Sequence, residues 1–476
     1  MPDRLQYELL DRLWGGTPDL QRSHDVQPAH LVQATKGGQQ TVRPFVRGHA
    51  RDVLLYWALV DAASVALESS LGSTDRIFAN RWTVLSEDVT PASQPNWAAF
   101  ELRIEEEARS RTGIYILRAD VTSFYMAISS DRLVRVLLEV GVPSSIATDL
   151  LMLLTAWHAQ GIRGLPQGLP PSGPLANAYL QFADQVLERV GVDFIRYSDD
   201  IAIFCDTFAE ARRTLDHLER HMYTEGLTLG GDKTTILRAS TLVGRLGSEG
   251  ERTRREMTEF AGDYEWDEGE VSEAEREIAI AAFDSAVAAL SDDRYERSEF
   301  IFAFRLLGRF RDPRPLPQLP TVLTRMPGLT GDAMTYVSAL GANDRTDAMA
   351  AVELALGGGF HRDQEWLHLL RALTALPGPG TEATVALLAS VSAEHSHPLV
   401  RARAMLAWCR QSAPDQTFVA EEFFTRERRM WKGWAVMGIR DKHRRGELYE
   451  RWKGEGRSIA HLIESLAAQP LGWSKA

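Results

Sequence analysis

Phe194-Ile195-Arg196-Tyr197-Ser198-Asp199-Asp200-Ile201-Ala202-Ile203-Phe204 is the stretch that decides how this chain is read. Two apolar runs flank a short polar tip, which predicts a β-hairpin with two carboxylates at its turn. Carboxylates set beside buried strands are costly unless a cation neutralises them. Magnesium takes oxygen ligands and is usually held by one or two carboxylates plus substrate phosphates. The tip therefore reads as half of a metal site for phosphoryl transfer. An isolated Asp-Asp pair is more simply a polar turn, so the metal reading needs a second half.

That half lies upstream. Ile114-Tyr115-Ile116-Leu117-Arg118-Ala119-Asp120-Val121 reads as a buried strand ending in an acid. A third carboxylate from a second strand completes a two-metal site, in which one ion activates a 3′-hydroxyl and the other stabilises leaving pyrophosphate. Successive side chains on a strand point to opposite faces, so Asp199 and Asp200 are not equivalent. Asp120 and Asp199 are expected as the primary ligands, with Asp200 nearer one metal or the primer end. Between the acids runs Leu165-Pro166-Gln167-Gly168-Leu169-Pro170-Pro171-Ser172-Gly173-Pro174. Gly168 permits close backbone approach to a ligand. Ser172 is expected to cap the following helix, with Pro174 in its first turn.

In order and spacing these segments resemble motifs A to D of reverse transcriptases. The resemblance rests on Asp120 with Tyr125, Pro166-Gln167-Gly168 with Ser172, Tyr197-Ser198-Asp199-Asp200, and Gly231-Asp232-Lys233-Thr234. It spans roughly residues 40 to 247 and implies an α+β fold of fingers and palm. It also implies roles. Asp120, Asp199 and Asp200 become the catalytic acids and, with the Val121 carbonyl, the ligands of two Mg2+ ions, for which Mn2+ is a substitute. Gln167 and Gly168 line the nucleotide pocket, and Lys233 lies near the triphosphate as a general acid for pyrophosphate. Tyr125 is the aromatic gate that excludes a ribose 2′-hydroxyl, which makes dNTPs the substrates and DNA the product. Among Arg43, Arg47 and Arg51, Arg51 best matches the basic residue that grips the triphosphate. Phe78-Ala79-Asn80-Arg81-Trp82 resembles a further block of the fingers. Two positions depart from the family pattern: Ser198, where Ala or a bulkier residue is usual, and Gly230-Gly231, where Asn is common.

Composition bounds the rest. At 476 residues the chain is too long for one core and suits two or three domains. Its net charge of −12 argues against general coating of nucleic acid, so phosphate-binding charge must be confined to a cleft. Cys205 and Cys409 are the only cysteines, which excludes a disulfide framework or a Cys-based zinc site and points to the cytoplasm. No run of 18 apolar residues and no signal-peptide core are apparent, so no membrane partner is expected.

Three segments are expected: residues 1–250 as fingers and palm, 251–275 as an acidic linker or charged helix, and 276–476 as an all-α, HEAT-like helical-repeat domain. Within the palm, Thr207-Phe208-Ala209-Glu210 predicts a capping box opening a helix to about Glu225. Leu215, Leu218 and Met222 mark its buried face, and Gly226 ends it. Leu227-Thr228-Leu229 and Thr241-Leu242-Val243-Gly244 are expected as strands. In the second half, Asp363 to Leu376, Glu382 to Glu394 and Pro398 to Gln411 carry apolar residues at helical spacing. His397 to Leu406 resembles one helix of a HEAT repeat. Further on, Arg428, Arg429, Arg444 and Arg445 surround Trp431 and Trp434, a pattern that suits single-stranded nucleic acid. A terminal repeat with a solvated basic face gives the same pattern.

A reverse-transcriptase palm followed by helices resembles bacterial abortive-infection and other defence-associated reverse transcriptases. Several of those make DNA without a conventional template, some from a protein hydroxyl, which makes Tyr336 and Tyr449 candidates as tyrosines of the helical half. The alternatives are an RNA-templated reverse transcriptase of a retron or mobile element, and a catalytically inactive nucleic-acid-binding module. The three acids disfavour the last. An RNA template, a noncoding RNA and a second copy in a homo-oligomer stay open as partners.

Overall fold

Strand pairing organises the first half of the chain. The computed structural model describes residues 26–35, 41–81, 93–246, 273–290, 297–340, 345–357, 361–376, 378–412, 418–426, 447–448 and 450–451. They divide into two compact units. The first takes residues up to 31 and from 44 through 246; the second takes 32–35, 41–43 and everything described from 273 on. Residues 32–35 and 41–43 thus group with the second unit, whereas the sequence places them with fingers and palm.

The elements run as follows: β1 (His30–Thr35), β2 (Val42–Arg47), α1 (Ala50–Ser70), α2 (Ser93–Ser110), β3 (Tyr115–Ala119), α3 (Phe124–Ala127), α4 (Ser130–Glu139), α5 (Ser144–His158), α6 (Ser172–Tyr179), α7 (Gln181–Val190), β4 (Asp193–Tyr197), β5 (Asp200–Cys205), α8 (Phe208–Thr224), β6 (Thr235–Arg238) and α9 (Ala239–Leu246). Strands β4-β5-β3-β6 form an antiparallel sheet in that order. Its two faces bury different residues. Leu117, Ala119, Phe194, Ile201, Ile203 and Cys205 join a core with α1 and α4 to α8. Ile116, Ile195, Ala202 and Phe204 meet Phe100 and Ile104 of α2 and Ala239 of α9. Burial on both faces explains why these strands read as unbroken apolar runs rather than as alternating ones.

Helix α1 is long and apolar enough to cross a membrane, which corrects the expectation that no such run exists. Its apolarity has another use here. Tyr56, Leu59, Val60, Ala63 and Leu67 are buried in the core, where the helix packs on α5 and α6.

Helix α8 starts as its sequence predicts, with the Thr207 hydroxyl accepting from the Glu210 amide at 3.1 Å. Leu218 and Met222 are fully buried, and Gly226 ends the helix at φ +75°. Leu229 then forms only an isolated bridge with Val121. The last strand is not Thr241–Gly244, which lies inside α9; it is β6. The register explains the difference. Arg238 pairs with Tyr115, the first residue of β3, so no partner strand remains beyond it and the chain turns into a helix.

Ser172 is not a helix cap either. Pro171 holds the N-cap position without a side-chain bond. The Ser172 hydroxyl instead donates to the Pro166 carbonyl at 2.8 Å and lies 3.0 Å from the Tyr56 hydroxyl. It therefore shapes the loop before the helix rather than the helix end.

In the second unit, α10 (Glu273–Leu290), α11 (Arg297–Phe310), α12 (Leu319–Arg325), α13 (Thr330–Leu340), α14 (Arg345–Gly357), α15 (Asp363–Ala375), α16 (Glu382–Glu394), α17 (Pro398–Gln411) and α18 (Phe418–Arg426) follow one another. Each packs mainly on helices one or two places along the chain. Asp312, almost fully buried, anchors the α11 end: it accepts from Arg276 Nη2 at 2.7 Å, and its carbonyl accepts from the Tyr336 hydroxyl at 2.6 Å. Tyr336 is itself buried, so its hydroxyl is committed to the core rather than offered as a nucleophile. Tyr449 lies outside the described residues, as does most of the expected 251–275 linker; residues 273–275 already belong to α10. The strand residues of this unit dock on α15, where the Thr35 hydroxyl donates to Glu365 Oε1 at 2.6 Å and the Gln33 amide to Asp363 Oδ2 at 3.3 Å.

Candidate active site

A two-residue turn, Ser198-Asp199, closes the Tyr197–Asp200 pair at the tip of β4 and β5. Ala119 pairs with Ile201, so the next step along the register sets Asp120 opposite Asp200. Two adjacent strands and one turn thereby bring three carboxylates to one end of the sheet. Their charges act on one another. Burial first, then Asp120, pushes the Asp199 carboxyl above its ordinary value. Burial, then Asp199 and Asp120, pushes Asp200 up to about 6, against the pull of Lys233 and Arg118.

Lys233 reaches Asp120 directly, with Nζ donating to Oδ1 at 2.6 Å. Burial pulls its pKa down, but the Asp120 bond and the three carboxylates outweigh this and raise it. The Gly230 amide donates to the Asp120 carbonyl at 2.8 Å. A Cβ at Gly230 would stand 3.3 Å from Thr122 Oγ1 and 3.5 Å from Asp120 Oδ2. Val121 bridges Leu229, but the bonds of that bridge are Thr122 N to Thr228 O and Gly230 N to Asp120 O. The Val121 carbonyl takes no part in it.

The donor set is made only of oxygen, which suits a hard divalent cation. Among the described residues no three such side chains are drawn together into a finished ligand set. The fit rests on electrostatics: carboxylates that resist ionising side by side become stable as anions when a cation enters. A pH dependence follows. Below the ordinary value of 3.8, Asp200 is protonated folded and unfolded. From there to about 6 the unfolded chain loses its proton first, so stability falls as pH rises, and the penalty is complete above about 6. In EDTA, Asp200→Asn is therefore expected to melt at a higher temperature than wild type at neutral pH and to lose this gain in acid. Equal melting curves at neutral pH would mean that Lys233 already cancels the repulsion.

Tyr125 sits beside this cluster, on α3, edge-to-face with Phe124 at 5.7 Å. Burial pushes its hydroxyl up to about 12, and the nearby Asp199 carboxylate adds to the shift. The Gln167–Gly168 loop is held against β2. The Val46 amide donates to the Gln167 carbonyl at 2.8 Å. Gly168 has φ +86°, and a Cβ there would come within 2.5 Å of the Phe45 ring. Gly168 is thus required both by its backbone and by the ring that covers it.

Arg47 shares the Phe45 face of β2 by the two-residue period. Burial lowers its pKa, and it has no carboxylate partner among the described residues. Arg51, the better match by sequence, starts α1, with its amide donating to His49 Nδ1 at 3.3 Å. Arg47 follows Val46 on the strand that holds this loop. The expected nucleic-acid residues Arg428, Arg429, Trp431, Trp434, Arg444 and Arg445 lie outside the described residues.

Arg196 was not singled out by its sequence, where it reads as one charge in an apolar strand. It is fully buried. Its Nε and Nη2 form a fork on Asp184 at 2.9 and 2.8 Å, while Nη1 donates to Asn177 Oδ1 at 2.8 Å and to the Ser198 carbonyl at 3.0 Å. Its backbone exchanges hydrogen bonds with Arg76 and Phe78. On the opposite face, Tyr197 packs on Trp97 at 4.9 Å and on Phe100 at 6.0 Å. The acid-bearing turn is therefore clamped from both sides of the sheet.

Residues 74–260 match the family described as reverse transcriptase (RNA-dependent DNA polymerase). The chain carries a reverse transcriptase domain. It is an RNA-directed DNA polymerase domain, a nucleotidyltransferase, and the matched span includes all three acids, Tyr125, the Gln167–Gly168 loop and Lys233. The fingers strand β2 and helix α1 precede the matched span. No curated protein gives a significant match to the chain.

Proposed function

We propose that the chain is a DNA polymerase in which Asp120, Asp199 and Asp200, with the Val121 carbonyl, hold two divalent ions, Mg2+ or Mn2+, and which joins dNTPs. The observation that carries this reading is the convergence of three mutually repelling carboxylates at one end of the sheet, with Lys233 on Asp120. The ions, when bound, would activate the attacking hydroxyl and stabilise the leaving pyrophosphate. Lys233 is placed to give a proton or a charge to the departing phosphate. Tyr125 presents its ring where the sugar lies, and Gln167, Gly168 and Arg47 hold the nucleotide. Domain order supports a role in bacterial antiphage defence, since a palm followed by serially packed helices is the arrangement of the abortive-infection enzymes that this chain resembles. The serial packing also supports a HEAT-like reading of the second unit.

Extension assays test this. Purified protein with Mg2+ and labelled dATP is expected to make DNA, and Tyr125→Val is expected to raise ATP use relative to dATP by at least about tenfold. Label that stays with protein until proteinase treatment supports a protein primer. Free product made only with an RNA template and a nucleic-acid primer favours the retron-like alternative. No product with either ion leaves a binding module.

A further inference from the structure

Tyr125 stands on a helix that cannot hold it alone. Helix α3 is one turn, Phe124–Ala127, and a single turn is unstable by itself in water. Its N-cap, Ser123, has φ +50° and gives the turn no side-chain bond. The last carbonyls of a helix lack partners inside it. The Tyr125 carbonyl finds one outside, accepting from the Leu165 amide at 2.8 Å.

The same peptide group is held at its other end. His158, the last residue of α5, sets Nε2 3.0 Å from the Gly164 carbonyl. A carbonyl only accepts, so Nε2 carries the proton and donates. Nδ1 then accepts in the neutral ring, and the Ser130 hydroxyl lies 3.3 Å from it. The Gly164 carbonyl and the Leu165 amide belong to one planar unit, so a bond that orients the first also orients the second. Gly164 has φ +61°, and a Cβ there would run into the Tyr125 carbonyl oxygen and stand 2.8 Å from Met126 Cα. Leu165 is buried, and the Ile162 amide returns to the Trp157 carbonyl at 3.2 Å. The loop is thus seated on α5 and pressed, main chain to main chain, against Tyr125.

A gate works by distance. A ring carried on a loose turn gives space to a 2′-hydroxyl, and a displacement of about 1 Å at a reacting centre can change rates by about a hundredfold. We propose that His158 is a specificity-determining positioning residue: through the Gly164–Leu165 peptide it fixes the main chain of Tyr125, and with it the place of the ring against the sugar. Ser130 sets the His158 ring for that bond. This rests on the reading of Tyr125 as the gate.

The test is the ratio of kcat/KM for dATP to that for ATP in His158→Leu, His158→Gln, Ser130→Ala and Tyr125→Val. The ratio is read within one preparation, so inactive protein cancels from it. His158→Leu fills much of the space of the ring without a donor, and is expected to lower the ratio by about fivefold to tenfold, the span of one ordinary hydrogen bond. His158→Gln carries an amide that can donate to the same carbonyl, and is expected to stay within about twofold of wild type. Ser130→Ala frees the ring to turn and is expected to shift the ratio the same way as His158→Leu, by less; where His158→Leu does not fold, Ser130→Ala decides. In the Tyr125→Val background, His158→Leu is expected to change nothing further, because the gate is already gone. A wild-type ratio in His158→Leu and Ser130→Ala, while Tyr125→Val relaxes it, overturns the inference, since a residue that only stabilises the fold gives that result. So does an equal loss in His158→Leu and His158→Gln, or a full His158→Leu effect on top of Tyr125→Val. Unchanged discrimination in Tyr125→Val overturns the gate reading itself.

Discussion

Asp199→Ala and Asp120→Ala are each expected to lower the rate of nucleotide addition by at least about a thousandfold, since an acid that seats a metal supports several kcal/mol of transition-state stabilisation and each ~1.4 kcal/mol is tenfold. The fold is expected to survive both changes. Burial and Asp120 already hold the Asp199 carboxyl above its ordinary value, so ionising it works against the folded state, and alanine removes that cost. Asp120→Ala leaves Lys233 without its partner, but the lysine side chain is 49% exposed and stays solvated. Primer extension and thermal melts on the same preparations check both halves. A folded Asp199→Ala protein that extends at near wild-type rate would refute the assignment of the acids.

Arg196→Ala is expected to destabilise the catalytic unit by about 3–5 kcal/mol, because it leaves a buried carboxylate unpaired. Asp184 is 13% exposed and would keep its charge without the fork on it. Asn177 and the Ser198 carbonyl lose a donor at the same time. For a unit of this size the melting temperature should fall by roughly 10 °C. A paired replacement, Arg196→Met with Asp184→Leu, should recover much of that stability, since buried ion pairs can give way to apolar packing at little net cost. It should not recover synthesis, because the turn that bears Asp199 would still lack its anchor. A paired variant that is stable and fully active would show that the clamp serves the core alone.

Much of the candidate site was legible in the sequence because its parts are local. The hairpin shows as two apolar runs about a polar tip, and the acids lie at strand ends. Helices α15, α16 and α17 begin at the residues their 3.6-residue periodicity and Pro-Gly breaks indicate, and end within a residue of them. What failed to show depends on distant partners. Ser172 looks like a helix cap until Tyr56, 116 residues earlier, is placed against it. The bond from the Val46 amide to the Gln167 carbonyl, which holds the loop against β2, joins residues more than a hundred positions apart and leaves no local signal. The β6 strand was misplaced because only the length of β3 determines where pairing must stop.

By itself, then, the sequence determined the acid-bearing hairpin and the strand before Asp120, helices α15 to α17, the order of the acids and the chemistry their oxygens can support, since these follow from period, turn residues and side-chain type. Only the tertiary structure decided that Asp120 comes opposite Asp200, that Arg196 turns inward to Asp184 and Asn177, and that Asn177 reaches back to the Ala79 carbonyl. Register and burial arise from contacts between segments far apart in the chain. A buried guanidinium and a solvated one have the same sequence signature until those contacts form.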